Sequence, residues 1–82
     1  MITGMLWFDN DSKKLLSKKI EEAKDYYFKK YGQVADVCIT NPTTLAQKKD
    51  DEVLPMQVRA DRSIALGTFW IGCEDKETIQ PK

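Results

Sequence analysis

The sequence contains no histidine. That removes the commonest general base near neutral pH and the commonest zinc ligand together. Cysteine is scarce too. Cys38 and Cys73 stand far apart, in no C-x-x-C arrangement, and two thiols without histidine do not make a structural zinc site. Each lies in a hydrophobic run, the setting of a small buried thiol rather than of a disulfide. Net charge is also missing. Thirteen basic residues balance thirteen acidic ones, so no global field draws the chain to nucleic acid or to an anionic membrane. No apolar run approaches a membrane span. The opening MITGMLWF has no basic residue and meets Asp9 at once, which makes it too short for a signal sequence. A cytoplasmic chain with reduced cysteines is expected. The G-x-x-x-x-G-K phosphate loop is absent.

What is present suits a compact domain. Across 82 residues, 41% are hydrophobic, with two Trp, three Tyr and three Phe, enough to fill one small core without disulfides or metal. Residues 3–8 read as a strand that is apolar on both faces, with Met5 and Trp7 on one side and Leu6 and Phe8 on the other. Such a strand is expected at the centre of a sheet. Gly4 marks a bulge or a close backbone approach. From about 12 to 31 the period changes. Leu16, Ile20, Ala23, Tyr27 and Tyr31 fall on one helical stripe, and Lys14, Lys18, Glu21, Asp25 and Lys29 lie away from it. Lys18 with Glu22 and Asp25 with Lys29 are i,i+4 pairs. Gly32 is the expected left-handed cap of this helix.

Strand character returns over 34–40 and ends at Asn41-Pro42. There Asn41 caps a short helical turn and Pro42 takes its first position. Residues 47–52 form a polar loop. Residues 56–60 alternate, with Met56, Val58 and Ala60 inward, as in a half-buried antiparallel strand. A turn at 60–63 leads to a last strand near 68–74, with Phe69, Ile71 and Cys73 on one side and Trp70 on the other. The expected fold is α+β: a two-layer α/β sandwich with one long helix on a small mixed sheet of three to four strands. The element order is β-α-β-(short helical turn)-β-β. The helix makes the first two strands parallel neighbours, and the last two form a hairpin-like pair. One domain spans 1–74, and 75–82 form a frayed tail.

Asp9 and Asp11 are the candidate chemical site. A hydrophobic strand running into Asp-x-Asp resembles the first motif of haloacid-dehalogenase-type phosphatases, where the two carboxylates supply nucleophile, acid/base and a magnesium site. That chemistry also needs a Lys or Arg and a further acidic pair on a large sheet, which this chain is too short to build. An EF-hand fails because Lys13 follows in ligand spacing and no glycine does. The competing structural role is capping, with Asp11 or Ser12 as N-cap and both carboxylates at the positive end of the helix dipole. The helix lysines, with Tyr26, Phe28 or Trp70 as stacking groups, would suit nucleic acid, but Glu21, Glu22 and Asp25 interleave with them. Trp70 remains. One helix covers only one sheet face, so Trp70 on the other face marks a partner or self-association surface, unless the 43–52 segment or the tail folds over it.

The segments MITGMLWFDND, Tyr26-Tyr27 leading to Lys30-Tyr31-Gly32, Cys38 with Asn41-Pro42, and Phe69-Trp70-Ile71-Gly72 together resemble a group of short bacterial proteins. The resemblance covers most of the chain outside the 47–52 loop and the tail. In that group a proline often precedes the cysteine, where this chain has Val34-Ala35-Asp36. The resemblance implies a small cytosolic bacterial protein and carries no assigned activity, cofactor or catalytic residue. The functional expectation is a small non-enzymatic interaction module that meets a protein partner or itself near Trp70, with Asp9 and Asp11 as further contact candidates. The alternatives are a nucleic-acid accessory protein using the lysine-bearing helix, and a divalent-metal or phosphate site at Asp9 and Asp11. No cofactor is expected.

Overall fold

The computed structural model describes residues 3–73. The expected tail, 75–82, and the domain boundary at 74 lie outside them. Within this span the chain runs β1 (Thr3–Phe8), α1 (Leu16–Tyr31), β2 (Val37–Thr40), α2 (Pro42–Leu45), β3 (Gln57–Ala60) and β4 (Thr68–Cys73). This is the expected α+β class, with one long helix on a small, open mixed sheet.

The core forms where the helical stripe meets alternating strand residues. Leu16 and Ile20 pack with Cys38 and Phe69, with Trp7, Leu45, Met56 and Val58 around them. One turn further on, Ala23 and Tyr27 pack with Ala35 and Ile71. Burial pushes the Cys38 thiol up to about 12, so this sulfur sits inert in the core. The Tyr27 hydroxyl rises to about 12, first by desolvation and then through its contact with Cys73 Sγ at 3.8 Å. Gly32 closes the helix in the left-handed region (φ 71°), donating from its N–H to Phe28 O at 2.8 Å. Asn41 Oδ1 accepts from Thr43 N at 2.8 Å and caps α2, with Pro42 at its first position. Both caps lie where their residue types predict.

The start of α1 does not. The helix begins at Leu16 rather than near 12. Leu15 is the N-cap residue and makes no side-chain cap bond. Neither Asp11 nor Ser12 caps the helix, because the carboxylates are engaged earlier. Asp9 Oδ1 accepts from Asp11 N at 3.0 Å, and Asp11 Oδ1 accepts from Lys13 N at 2.9 Å. Two successive Asx turns therefore hold the connection out of the helix. The cap comes from far along the chain: Glu52 Oε2 accepts from Ser17 N, and Oε1 accepts from Lys49 N at 3.0 Å. Hydrogen bonds from Ser17 and then from Lys49 hold the Glu52 carboxyl below its ordinary value of 4.5. Glu52→Ala is expected to cost about 1 kcal/mol in denaturant unfolding at neutral pH. A carboxyl depressed in the folded state contributes above its unfolded pKa and loses that contribution as pH falls through the folded one. The difference from the parent protein should therefore fade below about pH 4.5. A difference that persists undiminished in acid would remove Glu52 from this role.

The sheet order is β1-β4-β2-β3. β4 is antiparallel to both β1 and β2, while β3 is parallel to β2. Three expectations are corrected here. β1 and β2 do run in the same direction, but β4 lies between them, so they are not neighbours. The last two strands are not a hairpin, since β3 pairs with β2. β1 is an edge strand despite two apolar faces. Its inner face joins the core through Met5 and Trp7, and its outer face carries Leu6 and Phe8, 66% and 63% exposed. β2 is also shorter than expected: Val34 lies before it and is exposed, and pairing starts at Val37. In β3, Ala60 is exposed rather than inward, because this strand forms the other edge.

Candidate functional site

Strand alternation separates Trp70 from its neighbours. Phe69 and Ile71 are fully buried under α1, which turns Trp70 to the opposite face. There it stands opposite Leu6 on one side and Ile39 on the other. Its indole leans across β1 onto Gly4, where a Cβ would lie 2.1 Å from the nearest ring carbon. Gly4 is thus a place of close approach rather than a bulge, and the β1–β4 register runs through it without interruption. Leu6, Phe8, Ile39 and the half-buried Trp70 make an apolar surface that α1 does not cover. Arg59, opposite Ile39 on β3, borders it on one side.

The edge of β1 adds backbone groups to this surface. Asp9 N donates to Gly67 O at 2.9 Å, one step beyond the Phe8–Thr68 position of the ladder, so the Asp9 N–H points to the β4 side. The direction alternates along a strand, so Trp7, Met5 and Thr3 also bond toward β4. The N–H and C=O groups of Gly4, Leu6 and Phe8 then point the other way, where no strand lies among the described residues. The residues with outward backbone groups are the same ones whose side chains form the uncovered face. No charge interrupts β1, whereas the opposite edge, β3, carries Arg59.

Asp9 and Asp11 follow β1 and form no common site with Trp70. Asp9 Oδ2 lies 3.0 Å from Lys14 Nζ, which also reaches Glu22 Oε1 at 2.8 Å. Burial pushes the Asp9 carboxyl up, but bonds from Asp11 N–H and Lys14, with the charges of Lys14 and Lys19, bring it below its ordinary value. Lys14 is raised by the two carboxylates, Glu22 first. Among the described residues no three His, Cys, Asp or Glu side chains gather as a cation site would need. On α1, Lys18 reaches Glu21 (3.8 Å) rather than Glu22, which Lys14 has taken, and Lys29 pairs with Asp25 at 3.1 Å. Tyr26 lies half on the rim, its ring centroid 5.1 Å from that of Trp7. No helix among the described residues is long and apolar enough to cross a membrane.

Two contributors escaped the sequence reading. The backbone edge of Gly4, Leu6 and Phe8 has no side-chain signature. Lys19 is buried on the core side of α1, and its spacing, three after Leu16 and four before Ala23, was the available sign. No family model, curated protein or solved structure matches the chain, which leaves its function to be read from this geometry.

Proposed function

We propose that the protein is a small non-enzymatic interaction module of the bacterial cytoplasm that associates with a second copy of itself through the β1 edge and the adjoining face around Trp70. The observation that carries this reading is the edge of β1, which is uncharged and meets no further strand among the described residues. Long apolar edges are normally blunted by charge, proline or a bulge, and β1 has none of these. Charge matching selects the occupant. An uncharged edge is best met by an uncharged strand, and among the strands of the described residues β1 is the uncharged one at an edge of the sheet.

Antiparallel pairing about a twofold axis at Leu6 sets Leu6 against its own copy and Phe8 against Gly4 of the other chain. The ring of Phe8 then meets a position without a side chain, beside the indole that already lies there. The area is modest. Leu6, Phe8 and part of Trp70 on each copy fall short of the roughly 1,200 Å² total of a standard stable interface. Dissociation constants on the order of 10⁻⁵–10⁻⁴ M are therefore expected. The absence of histidine, the commonest general base near neutral pH, supports a non-enzymatic role. The free thiols of Cys38 and Cys73 suit a reducing compartment. The carboxylate pairing of Lys14, Lys18 and Lys29 gives the nucleic-acid reading no added support.

Sedimentation equilibrium between roughly 10⁻⁵ and 10⁻³ M tests this. The parent protein should move from monomer to dimer, and Leu6→Lys, which places a charge at the centre of the pairing, should weaken dimerisation at least about tenfold with its unfolding midpoint unchanged. A parent protein that stays monomeric to about 10⁻³ M overturns the reading.

A further inference from the structure

Lys19 is the one lysine inside the core-facing side of α1, with only 3% of its surface exposed. No carboxylate or carbonyl among the described residues bonds its ammonium. Asp9, the acidic group whose pKa registers its charge, is held by Lys14 instead. A buried charge without a partner is costly, and a lysine in such a place keeps its head where it can be solvated. Lys19 is among the residues that line a cavity of about 210 Å³, with Asn10, Ser12, Thr43, Thr44, Gln47 and Gly67.

The lining is rich in donors and contains no carboxylate. Asn10 and Gln47 bring amides, and Ser12 and Thr43 bring hydroxyls. Thr44 Oγ1 accepts from Gly67 N at 3.1 Å, which leaves its own O–H to donate. These groups come from four places: the connection after β1, the helix α1, the α2 segment, and the turn before β4. The cavity is therefore lined from several segments rather than from one. Asp9 and Asp11 spend their carboxylates in turns, while the neutral residues beside them, Asn10 and Ser12, line the space. At roughly 30 Å³ per water the cavity holds a small tetrahedral anion with a few waters, and not a nucleotide.

We propose that this cavity is an oxyanion site that takes a phosphate group, either free phosphate or the phosphoryl end of a small ligand, with Lys19 supplying the charge and the surrounding amides and hydroxyls supplying the geometry. A single lysine, close to an Asp9 that shares Lys14 with Glu22, supports weak and reversible binding that salt competes with. The site is independent of the β1 edge.

Amide NMR titration with inorganic phosphate, and separately with phenyl phosphate, at constant ionic strength in chloride tests the site. Saturable shifts at Asn10, Ser12, Thr44 and Gly67 are expected. Lys19→Met keeps the apolar stem and removes the charge, and should weaken binding at least about tenfold. Ser12→Ala and Thr43→Val, both at exposed positions, should weaken it a few fold, and they serve as variants if Lys19→Met does not fold. Binding of phenyl phosphate as tight as that of phosphate identifies a phosphoryl-bearing ligand, and preference for phosphate identifies the free ion. Absence of saturable shifts with both anions, or shifts unchanged in every folded variant, overturns the proposal.

Discussion

Phe69→Ala is expected to cost about 3–5 kcal/mol, a large part of the 5–15 kcal/mol that stabilises an ordinary domain. Phe69 is fully buried between Leu16, Ile20 and Cys38, and strand β4 that carries it pairs on both sides. Truncation leaves a cavity whose walls cannot close, because one is the helix and the other is the middle of the sheet. The adjacent substitution, Trp70→Ala, removes a larger side chain and should cost clearly less. Trp70 is only half-buried, and its indole lies against Gly4 on the sheet face away from α1. The two substitutions should differ in kind as well. The first lowers the denaturant midpoint, and the second spares most of the stability while abolishing dimerisation. Denaturant unfolding followed by circular dichroism, with sedimentation on the same samples, separates them. Equal loss of stability from both would mean that the face bearing Trp70 is part of the core.

Gly4→Val is the second large effect, and its sign carries the information. Valine favours strands over glycine, so propensity alone predicts a gain of up to about 1 kcal/mol. Gly4 has no positive φ to protect, since the left-handed glycines are Gly32 and Gly67. The obstacle is room, because a Cβ at this position would lie 2.1 Å from a Trp70 indole carbon. Something must move, and the candidates are unequal. β1 is held by its ladder to β4, whereas the indole can swing out toward solvent at the loss of its cover. A net destabilisation of about 1–3 kcal/mol is expected, within the range for overpacking. Red-shifted tryptophan emission and loss of self-association should accompany it. A stabilised variant with unshifted emission would show that the indole does not rest on Gly4.

Much of the local structure was legible in the residues. The spacing Leu16, Ile20, Ala23, Tyr27 is a helix stripe whatever it packs against, and Gly32 and Asn41-Pro42 act through their own backbone preferences. The alternation Phe69, Trp70, Ile71 correctly split a buried face from an open one. The candidate residues fared unevenly. Trp70 lies on the uncovered face as its alternation implied. Asp9 and Asp11 are drawn into turns, and the cap expected from Asp11 or Ser12 comes from Glu52. The reason is competition between local hydrogen bonds of similar strength: an aspartate two residues before an N–H can serve a turn as readily as a helix end.

The sequence by itself determined the order and nature of the elements, because periodicity, capping and turn chemistry act within a few residues. Only the tertiary structure decided that β4 enters between β1 and β2, since ladder bonds join backbone groups that every residue carries. That one choice placed β1 at an edge, turned its second apolar face toward solvent, and aimed the backbone of Leu6 and Phe8 outward. The tertiary structure also brought Glu52 to the start of α1 and gathered Asn10, Ser12, Thr43 and Gln47 at a cavity with Lys19. A pattern of period 3.6 tells which side of a helix faces inward; what waits there depends on segments that loop closure brings together from far along the chain.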